Sequence, residues 1–249
     1  MTGERIDWVV PCFDEAARLQ GAAFLSLLDD CAPASVIFVD DGSRDQTLQY
    51  LRGLAEQRPD SIAVVALPEN RGKAEAVRQG LLRALSGTAT LVGYVDADLA
   101  TPPAELRRLA ELARSSECDV LMASRVQLLG RHIERRSARH YLGRVFATLA
   151  SAVLHLPVYD TQCGAKLFRR TEALAAALEE PFLSRWAFDV EILARLLRPR
   201  PGVACLAPDR IREEPLFEWT DVPGSKLFPG AAVRGGLDLL RLGWKLRRR

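Results

Sequence analysis

Short apolar runs rich in β-branched residues alternate with segments of helical periodicity through the first half of the chain. The runs predict strands at residues 6–10, 36–39, 62–66, 91–95 and 120–123, and the periodic segments predict helices at 16–28, 46–56, 73–85 and 103–113. Strands that consist of unbroken apolar runs are covered on both faces. We therefore expect an α/β fold with a Rossmann-like, mainly parallel sheet flanked by helices.

The alternation weakens after residue 125. A basic, partly apolar segment at 131–156 precedes a short strand at 165–168, a helix at 186–197 and extended stretches at 203–207 and 211–219. The terminal stretch, 230–249, has helical spacing, with Leu237, Leu240 and Leu242 among arginines. The pattern predicts one domain over residues 1–228 and a basic amphipathic helix at 229–249.

Charged side chains follow several predicted strands at the point where each strand ends. Asp14 and Glu15 follow the first strand, the pair Asp40-Asp41 the second, Asp96 and Asp98 the fourth, and Arg125 the fifth. Ligands of parallel α/β sheets bind at the carboxyl ends of the strands. Carboxylates that converge there repel one another unless a positive charge lies among them.

The segment Asp96-Ala97-Asp98 has the spacing of a cation site. Two carboxylates separated by one small residue can both reach a hard divalent cation such as Mg²⁺ or Mn²⁺, and Ala97 leaves room for a diphosphate to supply further ligands. The alternative is an acidic loop that caps the next helix. The position after a buried strand favours the cation.

Two other turns each allow two interpretations. In Asp40-Asp41-Gly42-Ser43, Asp41 is the favoured contact to a base or ribose, and the alternative, compatible with it, is that Asp41 or Ser43 caps a helix from residue 44 onward. The turn at 70–73, which ends in Lys73, either binds a phosphate or sugar oxygen at a helix start or is a plain turn. Asp14 and Glu15 are likewise nucleotide contacts or partners of a helix dipole.

Composition limits the class of protein. With 48% hydrophobic and 27% charged residues the chain has the composition of a soluble globular protein, and a net charge of +2 gives no reason to expect a nucleic-acid partner. Five scattered cysteines without a C-x-x-C pair favour a reducing cytosol over a disulfide framework or a zinc site. We expect no signal peptide, and the longest apolar stretch, 145–154, is too short to span a bilayer.

The segments 9–15, 39–43 and 96–98, in this order, resemble inverting glycosyltransferase family 2. The segments 70–73, 96–102, 160–168, 188–191 and 224–227 are similar to dolichyl-phosphate β-glucosyltransferases, so the resemblance covers residues 6 to about 228. It implies a GT-A-type fold and a metal-dependent transfer of glucose from UDP-glucose to a polyprenyl (dolichyl or undecaprenyl) phosphate, with Mg²⁺ or Mn²⁺. The nucleotide-sugar half would be about 1–125 and the acceptor half about 126–228.

The same resemblance implies roles for individual residues. The nucleotide sugar would be bound by Pro11, Phe13, Glu15, Asp41, Lys73, Asp96, Ala97 and Lys226, the metal by Asp96 and Asp98, and the acceptor phosphate by Arg125, Arg136 and Arg139. We expect Asp98, Arg125, Asp160 and Gln162 to form the catalytic group. Asp160 is otherwise a partner of Arg125 or Lys166, Lys226 is otherwise a surface lysine, and for Glu191 a structural role is favoured.

Two residues depart from what the resemblance implies. Ala74 stands where the family usually has Gly, and Ala100 stands where the related mannosyltransferases have Gln, which favours a glucosyl donor and removes a possible metal ligand. We also expect no counterpart of the membrane helix that often precedes the domain in this family.

A lipid acceptor would also account for the basic segments. They would bind the anionic inner face of the plasma membrane, with the protein cytoplasmic and peripheral to that membrane. Solvated helix faces are the alternative. Competing functions are a GDP-mannose-dependent polyprenyl-phosphate mannosyltransferase, a family 2 transferase with a soluble acceptor, a non-catalytic nucleotide-sugar-binding module, and a scaffold that docks on membranes through its terminal helix.

Overall fold

A computed structural model describes residues 3–134, 137–222 and 231–247 of the chain. Its strands are β1 (Ile6–Cys12), β2 (Ala34–Asp40), β3 (Ile62–Ala66), β4 (Leu91–Val95), β5 (Val120–Ser124), β6 (His132–Glu134), β7 (Ala165–Arg169), β8 (Ile211–Pro215) and β9 (Glu218–Thr220). Its helices are α1 (Gly21–Asp30), α2 (Thr47–Gln57), α3 (Lys73–Leu85), α4 (Pro103–Ser115), α5 (Ser137–Leu154), α6 (Glu172–Glu179), α7 (Phe188–Leu196) and α8 (Ala231–Arg247).

The main sheet has, within the described ranges, seven strands in the order β3-β2-β1-β4-β7-β5-β8. Strand β7 runs antiparallel to β4 and β5, and the other neighbours in this sheet are parallel. Strands β6 and β9 form a separate parallel pair. Apolar cores lie on both faces: one is packed by α1, α2 and α4, and the other by α3, α5, α6, α7 and α8. The predicted α/β architecture with a mainly parallel, helix-flanked sheet is confirmed.

The direction of β7 determines which loops meet. Because β7 is antiparallel to β4, the start of β7 lies beside the end of β4, with Val95 paired to Ala165. The loop that precedes β7 therefore reaches the same edge as the loops that follow β1, β2, β4 and β5. This topology brings residues 160–164 to the acidic edge, although their sequence position alone does not assign them to it.

Several predicted elements differ in extent. Helix α1 begins at Gly21 rather than at residue 16, because residues 15–19 form a turn in which the amides of Arg18 and Leu19 donate to the carbonyl of Glu15. The stretch 203–207 is not a strand and makes one isolated bridge, Arg200 to Val203. The predicted extended stretch 211–219 divides into β8 and β9, which pair in different sheets.

Two helices were not recognised as such from the sequence. The basic, partly apolar segment contains the 18-residue α5, and α6 follows β7 directly. None of the helices in the described ranges is both long and apolar enough to cross a membrane.

Candidate active site

The Asp41 carboxylate joins the end of β2 to the loop at 70–73. It accepts hydrogen bonds from the backbone amides of Arg71 at 2.7 Å and Gly72 at 2.8 Å. Burial raises the pKa of Asp41, and the two amide donors oppose that rise. Helix α2 begins at Thr47, so Asp41 does not cap it, and Ser43 instead accepts a bond from the amide of Asp14. The helix-cap interpretation of this turn is wrong.

Asp40 is a candidate that the sequence reasoning passed over in favour of Asp41. It is buried, and its Oδ2 accepts a bond from the amide of Ser43 at 3.3 Å. Its Oδ1 is buried without a hydrogen-bond partner among the residues that the structure describes. A buried carboxylate oxygen without a donor is costly. The signal in the sequence is the double aspartate, which places one carboxylate at the very end of the strand.

The residues that follow β1 are held by the turn after β2. The amide of Glu15 donates to Thr47 Oγ1 at 2.8 Å, and the Glu15 carboxylate pairs with Arg18, with Oε1 2.6 Å from Nη2. Asp14 adopts a left-handed conformation, with φ 49°, and accepts a bond from the amide of Arg44. Since α1 begins only at Gly21, neither acid lies in its first turn. Pro11 is the penultimate residue of β1, and Phe13 follows that strand.

Asp96 and Asp98 lie directly after β4, with Lys73 beside them. The Nζ atom of Lys73, the first residue of α3, lies 2.5 Å from Asp96 Oδ1. Burial disfavours the charged ammonium, but Asp96 and then Asp189 outweigh it and raise the pKa of Lys73. Burial, reinforced by the neighbouring Asp96 carboxylate, raises the pKa of Asp98. The Asp96 carboxylate therefore lies close enough to disfavour ionisation of Asp98.

A divalent cation fits this donor set. Both carboxylates supply the hard oxygens that Mg²⁺ and Mn²⁺ prefer, and a cation would relieve the repulsion from Asp96 that adds to the effect of burial on the pKa of Asp98. Across the described ranges, no group of three or more His, Cys, Asp or Glu side chains could by itself hold a metal ion. The two aspartates would therefore need ligands from a bound anion, such as a diphosphate.

Arg125 and Asp160 form a bidentate salt bridge at the end of β5. Arg125 Nε and Nη2 lie 2.6 and 2.8 Å from the two carboxylate oxygens of Asp160, and the amide of Arg125 donates to the same carboxylate. Burial disfavours the guanidinium charge, but Asp160 outweighs it and raises the pKa of Arg125. Asp160 is thus the partner of Arg125 rather than of Lys166. Arg125 Nη1 has no hydrogen-bond partner in the described part of the chain.

The loop that carries Asp160 is fixed by backbone contacts. The amide of Asp160 donates to Glu213 Oε1 at 2.6 Å, and the amide of Gln162 donates to the Asp160 carboxylate at 3.3 Å. At the other end of the loop, the carbonyl of Gly164 accepts a bond from the amide of Asp96 at 3.0 Å. The two predicted catalytic residues of this loop therefore lie on a segment that also contacts the predicted metal site.

Behind the carboxylates lies a buried network that the sequence reasoning did not identify. Lys166 Nζ donates to Asp189 Oδ1 at 2.7 Å and to the carbonyl of Cys163 at 2.8 Å, and the hydroxyl of Tyr94 binds the same Asp189 oxygen. The Lys166 side chain is 0% exposed and that of Asp189 8%. One sequence feature could have pointed to this pair. Lys166 and Asp189 both lie in segments that carry the family resemblance, although they are far apart in sequence.

Glu191, two residues further along α7, has structural partners. Its carboxylate accepts bonds from the amides of Leu183 and Ser184 and pairs with Arg195 at 2.6 Å. These contacts agree with the structural role that the sequence favoured.

Three predicted site residues have no described side chain. Arg136 and Lys226 lie outside the described residues, and Arg139 lies in α5, of which only the backbone is described at that position. Their predicted roles therefore stay predictions.

Residues 7–173 match the family model of glycosyl transferase family 2. Curated relatives include the dolichyl-phosphate beta-glucosyltransferase of Homo sapiens, which is 30% identical over 95% of this chain and 74% of the relative. The protein of that name from Drosophila melanogaster is 34% identical over 89% of this chain and 68% of the relative. That of Dictyostelium discoideum is 29% identical, with 95% and 73% covered.

The fold is similar to that of glucosyl-3-phosphoglycerate synthase from Mycobacterium tuberculosis. One crystal structure of that enzyme has a TM-score of 0.66 at 17% identity, over 98% of this chain and 81% of that chain. Its complex with Mn²⁺, uridine-diphosphate and glucosyl-3-phosphoglycerate has a TM-score of 0.64 at 18% identity, over 97% and 81%. At this identity the likeness concerns the fold.

Proposed function

The chain belongs to glycosyl transferase family 2, and we propose that it transfers glucose from UDP-glucose to a polyprenyl phosphate, such as dolichyl or undecaprenyl phosphate, with inversion at the anomeric carbon. The observation that carries the proposal is the position of Arg125. Its buried guanidinium is held by Asp160 at the sheet edge where Asp96 and Asp98 also lie. One edge thus offers a cation site for a diphosphate and an arginine for a second anion. Dolichyl phosphate, the acceptor in the names of the curated relatives, is such an anion.

On the donor side, the site combines acidic groups that would hold a cation with a basic group that would contact the diphosphate of the nucleotide sugar. Asp41 holds the 70–73 loop, which presents Lys73, and Asp96 and Asp98 would hold Mg²⁺ or Mn²⁺. When bound, the cation would neutralise charge on the leaving diphosphate. Glu15, Pro11, Phe13 and Ala97 complete the proposed surroundings of the nucleotide sugar.

On the acceptor side, electrostatics accounts for most of what the reaction requires. A phosphate monoester is largely ionised near neutral pH and is already nucleophilic, so the site needs no strong base. A guanidinium has five N–H donors, so it can hold a carboxylate and bind a phosphate at the same time. Because Asp160 occupies Nε and Nη2 of Arg125, the remaining Nη1 is the group proposed to meet the acceptor. Arg136, Arg139, Gln162 and Lys226 remain proposed partners of the two substrates.

The sugar is proposed to be glucose rather than mannose. Ala100 supplies no side-chain oxygen next to the aspartate pair, and it is buried, while its carbonyl accepts a bond from the amide of Thr220 at 3.2 Å. The names of the curated relatives support the same donor sugar.

We also propose that the protein works in the cytoplasm at the inner face of the plasma membrane, as a peripheral protein, because its acceptor is a lipid. Residues 1–125 would form the nucleotide-sugar half and 126–228 the acceptor half, although β7 and β8 of the second half complete the sheet of the first.

The test is a transfer assay with the full chain. UDP-[¹⁴C]glucose and Mn²⁺ are incubated with polyprenyl phosphate in detergent, and labelled lipid is extracted. Labelled lipid that is lost on Arg125→Lys, with UDP binding retained, supports the proposal. Labelled lipid from GDP-[¹⁴C]mannose alone would overturn the donor, and label only on soluble phosphomonoesters would overturn the acceptor. Absence of any transfer, with UDP still bound, would indicate a binding module.

A further inference from the structure

Helices α5 and α8 pack against each other, and each has an apolar stripe on its outer side as well as on its inner side. The inner residues include Phe146 and Ala150 of α5 and Leu239 and Leu242 of α8, all buried. Leu242, which the sequence groups with Leu237 and Leu240, therefore belongs to the core. The outer stripes need another explanation.

The outer stripes have helical spacing and substantial exposure. On α5, Val145 and Leu149 are 60% and 37% exposed, and on α8, Leu237, Leu240 and Trp244 are 51%, 61% and 59% exposed. The spacings are i, i+4 and i, i+3, i+7, so each set lies along one side of its helix. Exposed apolar side chains that cluster in this way mark an interaction surface rather than ordinary surface variation.

A cavity of about 450 Å³ joins the two stripes into one face. Leu149, Val153, Leu240 and Trp244 are among its lining residues. His155 and Arg198 are the polar lining residues. We call the exposed stripes and this cavity the α5–α8 face.

The charge around this face is one-sided. The segment 137–154 contains no acidic residue, and 231–249 contains only Asp238, which accepts a hydrogen bond from Ser184. Arg241, next to Leu240, has a side chain that is 79% exposed. The sequence continues to the basic tail Lys245-Leu246-Arg247-Arg248-Arg249. A second copy of the chain would bring like charges together, whereas an anionic lipid surface has the complementary charge.

We propose that the α5–α8 face docks on an anionic bilayer, with Leu237, Leu240 and Trp244 in the boundary between headgroups and acyl chains. Leucines and tryptophan on one side of a helix, with arginines beside them, are the composition of interfacial helices. The reason for docking, access to a lipid acceptor, rests on the proposed function. The face itself is defined independently of that function, by the exposure, spacing and charge of its residues.

Docking in this way would also set the height of the acceptor site. Arg139 lies ten residues before Leu149 on the same helix, which corresponds to about 15 Å along the helix axis. A helix that rests on the bilayer at Leu149 would bring its first turns close to the level of lipid phosphates. The acceptor phosphate could then be reached without extraction of the polyprenyl chain from the membrane.

Vesicle sedimentation tests the docking directly. The full chain is mixed with vesicles of phosphatidylcholine alone or with 30% phosphatidylglycerol, and the bound fraction is measured. We expect binding to the anionic vesicles, and a loss of about tenfold or more in affinity for Leu237→Gln/Leu240→Gln. The matched control is Tyr50→Gln, which removes an exposed apolar side chain (41%) of α2, a helix that packs on the opposite face of the main sheet. Equal binding by the double variant and the wild type would overturn the proposal.

Two further measurements separate docking from catalysis and from self-association. With a short, water-soluble isoprenyl phosphate the double variant should keep wild-type turnover, while with acceptor embedded in anionic vesicles it should lose about tenfold or more. If the wild type transfers to neither acceptor but still binds vesicles, the proposed function fails and the docking stands. A wild-type dimer in light scattering that becomes monomeric in the double variant would assign the face to self-association and overturn the lipid partner.

Discussion

Gly164 lies directly against the Asp96 carboxylate. A β-carbon built on Gly164 would come within 2.2 Å of Asp96 Oδ2, and the amide of Asp96 already donates to the carbonyl of Gly164 at 3.0 Å. The start of β7 thus packs on the first carboxylate of the proposed metal site. Through this contact, the loop that carries Asp160 and the loop that carries Asp98 are fixed relative to each other.

Gly164→Ala is expected to displace the Asp96 carboxylate and to weaken the binding of Mn²⁺ with UDP. A shift of about 1 Å at a reacting centre can cost on the order of a hundredfold in rate, so kcat should fall by about tenfold to a hundredfold. Titration calorimetry with UDP and Mn²⁺, together with steady-state kinetics, measures both effects.

The control for this variant is Gly53→Ala. Gly53 lies within α2, and a β-carbon there would meet no heavy atom within 4 Å. Alanine should therefore stabilise the fold by about 0.5–1 kcal/mol and leave catalysis unchanged. Wild-type metal binding by Gly164→Ala would contradict the proposed position of Asp96.

Asp160→Ala should affect both stability and acceptor use. The Arg125 and Asp160 side chains are 13% and 7% exposed, so the substitution leaves a guanidinium buried without its counter-ion. Removal of one partner of a buried ion pair costs about 3–5 kcal/mol. We expect that loss in urea unfolding, and a larger fall in kcat/KM for the polyprenyl phosphate than for UDP-glucose.

A surface ion pair provides the comparison for Asp160→Ala. Arg58 and Asp29 lie 3.0 Å apart, but their side chains are 45% and 58% exposed. Asp29→Ala should change the free energy of unfolding by no more than about 1 kcal/mol and leave both substrates unaffected. Equal losses for the two variants would show that the Arg125–Asp160 pair has no special role.

Asp98→Asn is expected to separate stability from metal binding. Burial and Asp96 raise the pKa of Asp98 above its usual 3.8, so the metal-free folded state takes up a proton that the unfolded state has released. Its stability therefore falls as pH rises through the window between 3.8 and the raised pKa. Above that window, the amide should raise the melting temperature of the metal-free protein.

The same variant should lose the stabilisation that Mn²⁺ and UDP give to the wild type, because a ligand stabilises only the state that binds it. Thermal unfolding at pH 7.5 and at pH 3.5, with and without Mn²⁺ and UDP, tests both statements. An Asp98→Asn variant that is no more stable without metal, or one that keeps the Mn²⁺ effect, would contradict the assigned position of this carboxylate.

The first half of the fold could be predicted because local pattern determines it. Strands β3 and β4 and helix α3 begin and end at the predicted residues, since their apolar runs and helical periodicity are bounded by turns. The edge at which Asp41 and Asp96 both lie follows from the parallel pairing of β2, β1 and β4 alone. These features require no knowledge of contacts between distant residues.

The rest depends on contacts between segments that lie far apart in sequence. The antiparallel insertion of β7 between β4 and β5 decides that Asp160 meets Arg125, and no local pattern specifies it. The partner of Asp41 is likewise a loop 30 residues away. The sequence shows α8 as amphipathic, but only its packing on α5 shows that Leu242 faces inward while Trp244 is exposed.

Lys166→Met is expected to destabilise the protein strongly, although Lys166 is not among the predicted site residues. The Lys166 ammonium is fully buried and donates to Asp189 and to the carbonyl of Cys163, so methionine removes the ion-pair partner of Asp189 and leaves its carboxylate with the Tyr94 hydroxyl and the more distant charge of Lys73. The cost should be about 3–5 kcal/mol in urea unfolding. Lys166→Met/Asp189→Asn should recover part of this stability, because the second change removes the uncompensated charge, with a coupling free energy of about 0.5–3 kcal/mol.

Release of the Cys163 carbonyl should also loosen Gly164 against Asp96, so the double variant should bind Mn²⁺ with UDP less tightly than wild type even where stability recovers. Strictly additive stabilities, or unchanged Mn²⁺ binding, would show that this buried network does not position the carboxylates.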